Sequence, residues 1–193
     1  MSVLVDLLVK RQIEASRQRL MSFMTDYLVA PDHVAVILAS SKMDELLREA
    51  IAARLRPTGD EHDSLLDGDR GISTFELRIL LAQRLGIIDA QFASSLHIFR
   101  RLRNDFAYTL EMQHLDKPPH CDRVDELSRR FDLDEGVARM QSAGDGGLGR
   151  YSAHKMRFVV ASTLVLARLE AAASITDEVD DKPAQMIAAT LEP

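Results

Sequence analysis

One segment, running from Phe92 to Leu110, sets the architecture of this chain: FASSLHIFRRLRNDFAYTL. An α-helix turns by about 100° per residue, so apolar residues that recur every third, fourth or seventh position share one face. The apolar residues with this spacing are Phe92, Leu96, Phe99, Phe106 and Leu110. The segment is therefore predicted to be a helix whose apolar face packs into a core.

Arg103 falls in the middle of this apolar stripe. A guanidinium group keeps its charge in proteins, so an inward-facing one needs a carboxylate, carbonyl oxygens, water or an anion as its partner. Asn104 and Tyr108 follow within about one turn, and His97 lies on the adjoining face. The pattern predicts a site of chemistry or recognition around Arg103. The alternative is an arginine whose aliphatic stem packs on the bundle while its head stays in water.

The composition favours helices over strands. A chain of 193 residues suits one domain with a sizeable core. Trp is absent and aromatic residues make up only 5%, so Leu, Ile, Val, Ala and Met must build that core. Apolar residues follow helical spacing, and charged ones such as Lys155 in the last helix are expected on the flanks. The predicted fold class is all-α, a bundle of about six helices.

Local signals mark the ends of several helices. Pro31 separates the first two helices, Ser73 and Glu76 form a capping box, Gly86 ends that helix, and Asp89 caps the next one. The predicted helices span residues 3–28, 33–56, 73–85, 92–110, 121–142 (as one or two helices) and 150–174.

The helices are predicted to form a single domain over residues 1–174, followed by an acidic, flexible tail over 175–193. The longest apolar run, Phe158 to Ala167, is too short to cross a bilayer, and the N-terminus lacks the basic region of a signal peptide. The single Cys121 excludes an internal disulfide and fits a reducing compartment. These features predict a soluble, cytoplasmic protein without a membrane partner.

The net charge of the chain indicates whether its surface could bind nucleic acid. A formal net charge of −6 argues against a generally basic surface. Arg100, Arg101 and Arg103 form a local cluster, which is read either as a solvated helix end or as an RNA contact. Helix-turn-helix spacing is not evident. Direct DNA binding is therefore not expected, and any effect on transcription is expected to pass through a partner protein.

Three other clusters have the residue types of ligand sites. His114, His120 and Cys121 could hold zinc, but they lack paired ligand spacing, which favours a surface loop. The acidic run 59–71, GDEHDSLLDGDRG, could hold a divalent cation, but it lacks EF-hand spacing, which favours a solvated turn. The glycine-rich run 144–149 follows a helical segment and lacks a following Lys-Ser/Thr, which favours a linker. No cofactor and no metal is predicted.

Residues Leu65 to Asp89, LLDGDRGISTFELRILLAQRLGIID, resemble the central signature of the mannitol operon repressor (MltR-like) family. In that family an apolar helix leads to an L-x-D-G-D loop, then to a helix ending in Leu-Gly-Ile/Val-Ile, and then to a helix closing with Leu-Arg. Here the closing pair is Leu102-Arg103. The resemblance covers roughly residues 33 to 174 and is carried mainly by residues 65 to 108. The family is similar in turn to the HEPN superfamily, whose helical bundles often pair.

The HEPN resemblance raises the question of ribonuclease activity. Many HEPN ribonucleases carry Arg, often followed by Asn, with His four to six residues further on; here Arg103-Asn104 matches and Tyr108 stands in place of His. Cleavage needs a base for the 2′-hydroxyl and a cation for the phosphorane, and a tyrosine with a pKa near 10 is a poor base. Residues 103 and 108 also point about 140° apart on a regular helix, so a shared site would need unwinding or a second chain. His97 is a substitute base without the expected spacing.

The resemblance implies a regulatory protein that acts as a dimer by associating with an unidentified protein, in transcriptional regulation without direct DNA readout. The alternative is a HEPN endoribonuclease or toxin component that uses Arg103, Asn104 and Tyr108 on an RNA substrate. A third class, small-molecule sensing, stays open.

Overall fold

The computed structural model describes residues 18–56, 63–67, 71–108, 113–142 and 148–174, and every regular element within them is helical. The all-α prediction is thus confirmed. The elements are α1 (residues 18–29), α2 (Asp32–Ala52), α3 (Phe75–Arg84), α4 (Ala90–Tyr108), α5 (His120–Phe131), α6 (Asp134–Ser142), a 3₁₀ turn (Leu148–Arg150) and α7 (Ala153–Ala173).

These described α-helices number seven instead of about six because the segment predicted as one or two helices divides into α5 and α6. The division lies at Asp132, whose φ of 53° places it in the left-handed region that ends a helix.

Helix α4 supplies much of the core, as its apolar stripe predicted. Phe92, Leu96, Phe99 and Phe106 are all buried, while Leu110 lies outside the described residues. α4 packs against α2, α3 and α5, and the ring of Phe99 meets that of Phe158 in α7 with centroids 5.7 Å apart. Burial of this stripe fixes the rotation of α4, and so decides where its polar residues emerge.

The beginning of α7 departs from the sequence prediction. Lys155, expected on the flank, is buried, with its Nζ donating to Ala30 O at 2.8 Å and lying 3.2 Å from Asp32 Oδ1. Asp32 Oδ2 also accepts a hydrogen bond from Leu115 N at 3.0 Å. The buried ammonium is tolerated because these oxygens compensate it. It joins α7 to the turn between α1 and α2.

The predicted cap of α3 is wrong by one residue. Thr74, and not Ser73, is the N-cap, since its Oγ1 accepts from Leu77 N at 3.2 Å. This start buries Phe75 at the first helical position. Glu76 is thereby released from the predicted capping box.

The caps predicted around the α3–α4 connection are confirmed. Gly86 follows the end of α3 with a φ of 71°, a conformation that glycine adopts without strain. Asp89 Oδ1 accepts from Phe92 N at 2.7 Å and so caps α4.

Helix α2 ends at Ala52, earlier than the predicted residue 56, and a turn follows it. Within the described part of the chain no helix is both long and apolar enough to span a membrane. The predicted tail 175–193 and residues 144–147 of the glycine-rich run lie outside the described residues.

Candidate functional site

An open, polar cleft of about 480 Å³ lies where the first turn of α3 meets the C-terminal half of α4, with one side chain contributed by α2. It is lined by Asp44, Ser73, Thr74, Phe75, Glu76, Arg100, Arg103, Asn104, Ala107 and Tyr108.

The structure brings the motif residues predicted from the sequence into this cleft. Arg103 is 35% exposed and its Nη1 lies 3.8 Å from Asp44 Oδ2. Asn104 is exposed, and Tyr108 is 87% exposed, so that it forms part of the rim. Residues 103 and 108 thus line one open cleft from a regular helix, with Tyr108 at its rim. That a catalytic site shared by the two needs helix unwinding or a second chain stays a prediction.

His97 lies on α4 but does not line the cleft. Burial lowers the pKa of its imidazole, and the neighbouring Arg100 lowers it further, while Glu76 opposes both effects. His97 is therefore held in its neutral form near pH 7. Since none of the residues that line the cleft is a histidine, the cleft contains two cations but no imidazole base.

Asp44 is the carboxylate that organises the floor of the cleft, and the sequence analysis missed it. Its Oδ1 accepts from Arg78 Nη1 at 2.8 Å, while its Oδ2 faces Arg103. Asp44 lies on α2, far from α4 in sequence. A pair of residues so far apart along the chain produces no sequence pattern from which the contact could be predicted.

Arg78 is the inward-facing arginine that the sequence analysis assigned to position 103. Only 9% of Arg78 is exposed, and besides Asp44 it donates from Nε to Ile72 O at 3.1 Å and from Nη2 to Leu66 O at 2.9 Å. The sequence does contain a pattern that indicates the burial of Arg78, because residue 78 falls on the same helical face as the buried Phe75 and Ala82. Through these hydrogen bonds Arg78 connects the loop before α3 with α2.

Arg100 forms the opposite wall together with Glu76. Its Nη1 lies 3.1 Å from Glu76 Oε2, and its Nε is buried without a hydrogen-bond acceptor among the described residues. In the lining of the cleft, the two positive charges of Arg100 and Arg103 balance the two negative charges of Asp44 and Glu76. Arg78, which does not line the cleft, pairs with Asp44 at 2.8 Å, and Arg103 lies further from the same carboxylate, at 3.8 Å.

The predicted surface position of His120 is wrong. His120 begins α5 and is buried, with Nδ1 lying 3.2 Å from His114 O and Nε2 lying 3.4 Å from Asp105 Oδ2. Its ring packs on Phe106 at a centroid distance of 4.8 Å. The first residue of α5 therefore lies against α4, a contact that no pattern in the sequence indicates.

The acidic run before α3 is a turn in its described part. Asp63 Oδ1 accepts from Leu65 N at 2.9 Å and from Leu66 N at 3.2 Å, and Asp67 pairs with Arg48. In the ranges that the structure describes, no group of three or more His, Cys, Asp or Glu side chains is placed to hold a metal ion.

A second polar network, also missed, connects α5 with α7. His154 lies between two carboxylates, with Nδ1 3.0 Å from Asp116 Oδ1 and Nε2 3.4 Å from Asp125 Oδ1. Arg157 Nη1 lies 3.2 Å from the same oxygen of Asp125. Both carboxylates are about half exposed, so this network contributes little stability.

Comparison with known proteins bears on the fold. No family model matches the chain, and no curated protein matches it significantly. The chain is similar to a chain in the X-ray structure of the MtlR-HPr complex from Escherichia coli, with a TM-score of 0.55 over 77% of this chain and 99% of that chain. The sequence identity is 16%, so the likeness is one of fold. This chain has a distant MtlR-like fold, in agreement with the family resemblance of residues 65 to 108.

Proposed function

We propose that this chain is an MtlR-like regulatory module of the HEPN type, acting in the cytoplasm by binding another protein. The outer face of α3 carries the proposal. Leu77 and Leu80 are 44% and 45% exposed and stand one turn apart, directly after the residues that line the cleft. Neighbouring exposed leucines rimmed by polar side chains are typical of a protein contact surface.

The partner is proposed to be a protein of the HPr type. The chain of similar fold was solved in a complex with HPr, which supports a protein partner for this fold. The net charge of −6 supports the same choice over direct DNA binding, because a polyanion would be repelled by most of the surface. Homodimer formation, implied by the HEPN resemblance, is part of the proposal.

Size-exclusion chromatography with light scattering tests the association. The chain mixed with HPr at about 150 mM salt is expected to elute as a complex, since most of the proposed contact is apolar and weakly screened. The double substitution Leu77→Ser, Leu80→Ser is expected to weaken the complex about tenfold, as for the loss of a central contact. Leu164→Ser in α7, which alters an equally exposed leucine (45%), is the matched control.

Equal weakening by the control and the double variant would show that α3 is not the contact surface. The free chain is expected to elute with twice its mass of 21.6 kDa. A mass of 21.6 kDa alone would remove the dimer from the proposal.

An endoribonuclease or toxin component is the second candidate function. Its support is the placement of Arg103, Asn104 and Tyr108 around one cleft. The absence of a histidine from the lining weighs against it, because neither cation can act as the base. Incubation of the pure chain with total RNA, beside Arg103→Ala, separates the functions. Cleavage by the wild type alone would establish the nuclease, whereas intact RNA at high protein excess is the result expected of the regulatory module.

A further inference from the structure

The first turn of α3 presents hydrogen-bond donors to the cleft. The amides of Phe75 and Glu76 occupy the first two helical positions, where no intrahelical acceptor exists, and the Thr74 cap accepts from Leu77 N instead. Neither amide has an acceptor among the described residues. Both residues line the cleft, at the positive end of the α3 dipole.

Two guanidinium groups stand opposite that turn with unused donors. Arg103 Nη1 is 3.8 Å from its nearest carboxylate oxygen, beyond hydrogen-bonding distance, because Arg78 already holds Asp44 at 2.8 Å from the protein side. Arg100 reaches Glu76 through Nη1 at 3.1 Å, and its side chain, which is 26% exposed, also lines the cleft. A guanidinium group has five N–H donors, so one carboxylate contact leaves others for a bound acceptor.

We propose that the cleft binds the phosphoryl group of a small phosphate monoester. The donors come from two helices: the amides from α3, and two guanidinium groups and the Asn104 side chain from α4. A tetrahedral group with three free oxygens accepts from all of them, whereas a planar carboxylate offers only two oxygens. Because Arg78 pairs with Asp44 and Arg100 pairs with Glu76, the charge of Arg103 is available to the dianion.

The volume of the cleft and its remaining lining residues indicate what the rest of the ligand, beyond its phosphoryl group, must be. A cleft of about 480 Å³ exceeds a bare phosphate and lies in the range of small-molecule sites. Asp44 and Glu76 contribute only acceptor oxygens, so the body must carry hydroxyl or amine donors. The donors identified above suffice for one phosphoryl group, so a monoester fits the cleft better than a strand with several phosphates. The site is independent of the proposed HPr surface, since Leu77 and Leu80 do not line it.

Titration calorimetry with glycerol 3-phosphate and with inorganic phosphate, at constant ionic strength, tests the proposal. The wild type is expected to bind glycerol 3-phosphate at least about threefold more tightly than inorganic phosphate, because the hydroxyl groups reach the carboxylates. Arg103→Gln is expected to weaken binding about tenfold or more. Asn104→Asp places a negative charge on an exposed residue of the lining and is expected to weaken binding without affecting folding.

Arg101→Gln is the matched control, because Arg101 is exposed on the same helix, outside the cleft, and loses the same charge. It is expected to bind within about twofold of the wild type. Three outcomes would overturn the proposal: no heat with either ligand at 20 mM, equal losses in Arg101→Gln and Arg103→Gln, or binding of inorganic phosphate as tight as that of the ester.

Discussion

Replacement of Arg78 by alanine is expected to lower the free energy of unfolding by about 3–5 kcal/mol. The side chain of Arg78 is 11% exposed, and its guanidinium group connects Asp44 of α2 with the carbonyl oxygens of Ile72 and Leu66. Alanine would leave these acceptors without a donor in a protected environment. The loss is a large fraction of the stability of a typical domain and is measured by urea denaturation.

Arg84→Ala provides the control for this prediction, because Arg84 is exposed at the end of the same helix. Its effect is expected to stay within about 0.5 kcal/mol. The loss of unfolding free energy in Arg78→Lys is expected to lie between those of the two alanine variants. Lysine keeps the charge, but it lacks the planar guanidinium group that donates to three acceptors at once. A loss below about 1 kcal/mol in Arg78→Ala would show that the loop before α3 does not depend on this arginine.

Replacement of Lys155 by methionine is expected to cost about 3 kcal/mol at neutral pH. Methionine has a similar length and fills the same space, but Asp32 loses its cation and Ala30 O loses its donor. The measurement is again urea denaturation. Lys42→Met is the control, because Lys42 is 41% exposed and, within the part of the chain that the structure describes, pairs only with Glu45 of the same helix. Its effect is expected to be at most about 0.5 kcal/mol.

The pH dependence of the Lys155 variant follows from the direction of the pKa shift. Burial lowers the pKa of the Lys155 ammonium below 10.5, against the opposing effect of Asp32. The protonated form is thus penalised in the folded state, and the penalty disappears as the pH rises from the lowered pKa towards 10.5. The wild type is therefore expected to gain stability relative to Lys155→Met over that range. If the difference in unfolding free energy between the wild type and Lys155→Met became smaller with rising pH, the burial argument would be contradicted.

The sequence was sufficient where a structural feature depends on neighbours along the chain. The stripe of Phe92, Leu96 and Phe99 predicted α4 because a helix repeats every 3.6 residues and its buried face must be apolar. Gly86 and Asp89 marked helix ends because the required backbone conformation and cap lie within three residues of each other.

The sequence was insufficient where two residues of the same type compete for one role. Ser73 and Thr74 are adjacent and both are good caps, and the burial of Phe75 decides between them. Arg78 and Arg103 both lie on apolar helical faces, but only position 78 has three acceptors within reach. That difference is created by the tertiary packing.

Contacts between segments that are distant along the chain could not be predicted from the sequence either. Asp44 reaches Arg103 only because α2 packs on α4, and no pattern along the chain couples them. His120 was expected in a surface loop, yet it begins α5 and its ring packs on Phe106 of α4. The motif Arg103, Asn104 and Tyr108 was found because it is local, whereas the acidic half of the cleft was not.

Calorimetric titration of HPr into the wild-type chain is the decisive experiment for the proposed role. Association through the exposed α3 face predicts a saturable signal with a Kd in the micromolar range at about 150 mM salt, as for small, transient interfaces. A flat titration at about 100 µM of both proteins, together with RNA cleavage that is lost in Arg103→Ala, would contradict the regulatory role and establish the nuclease instead.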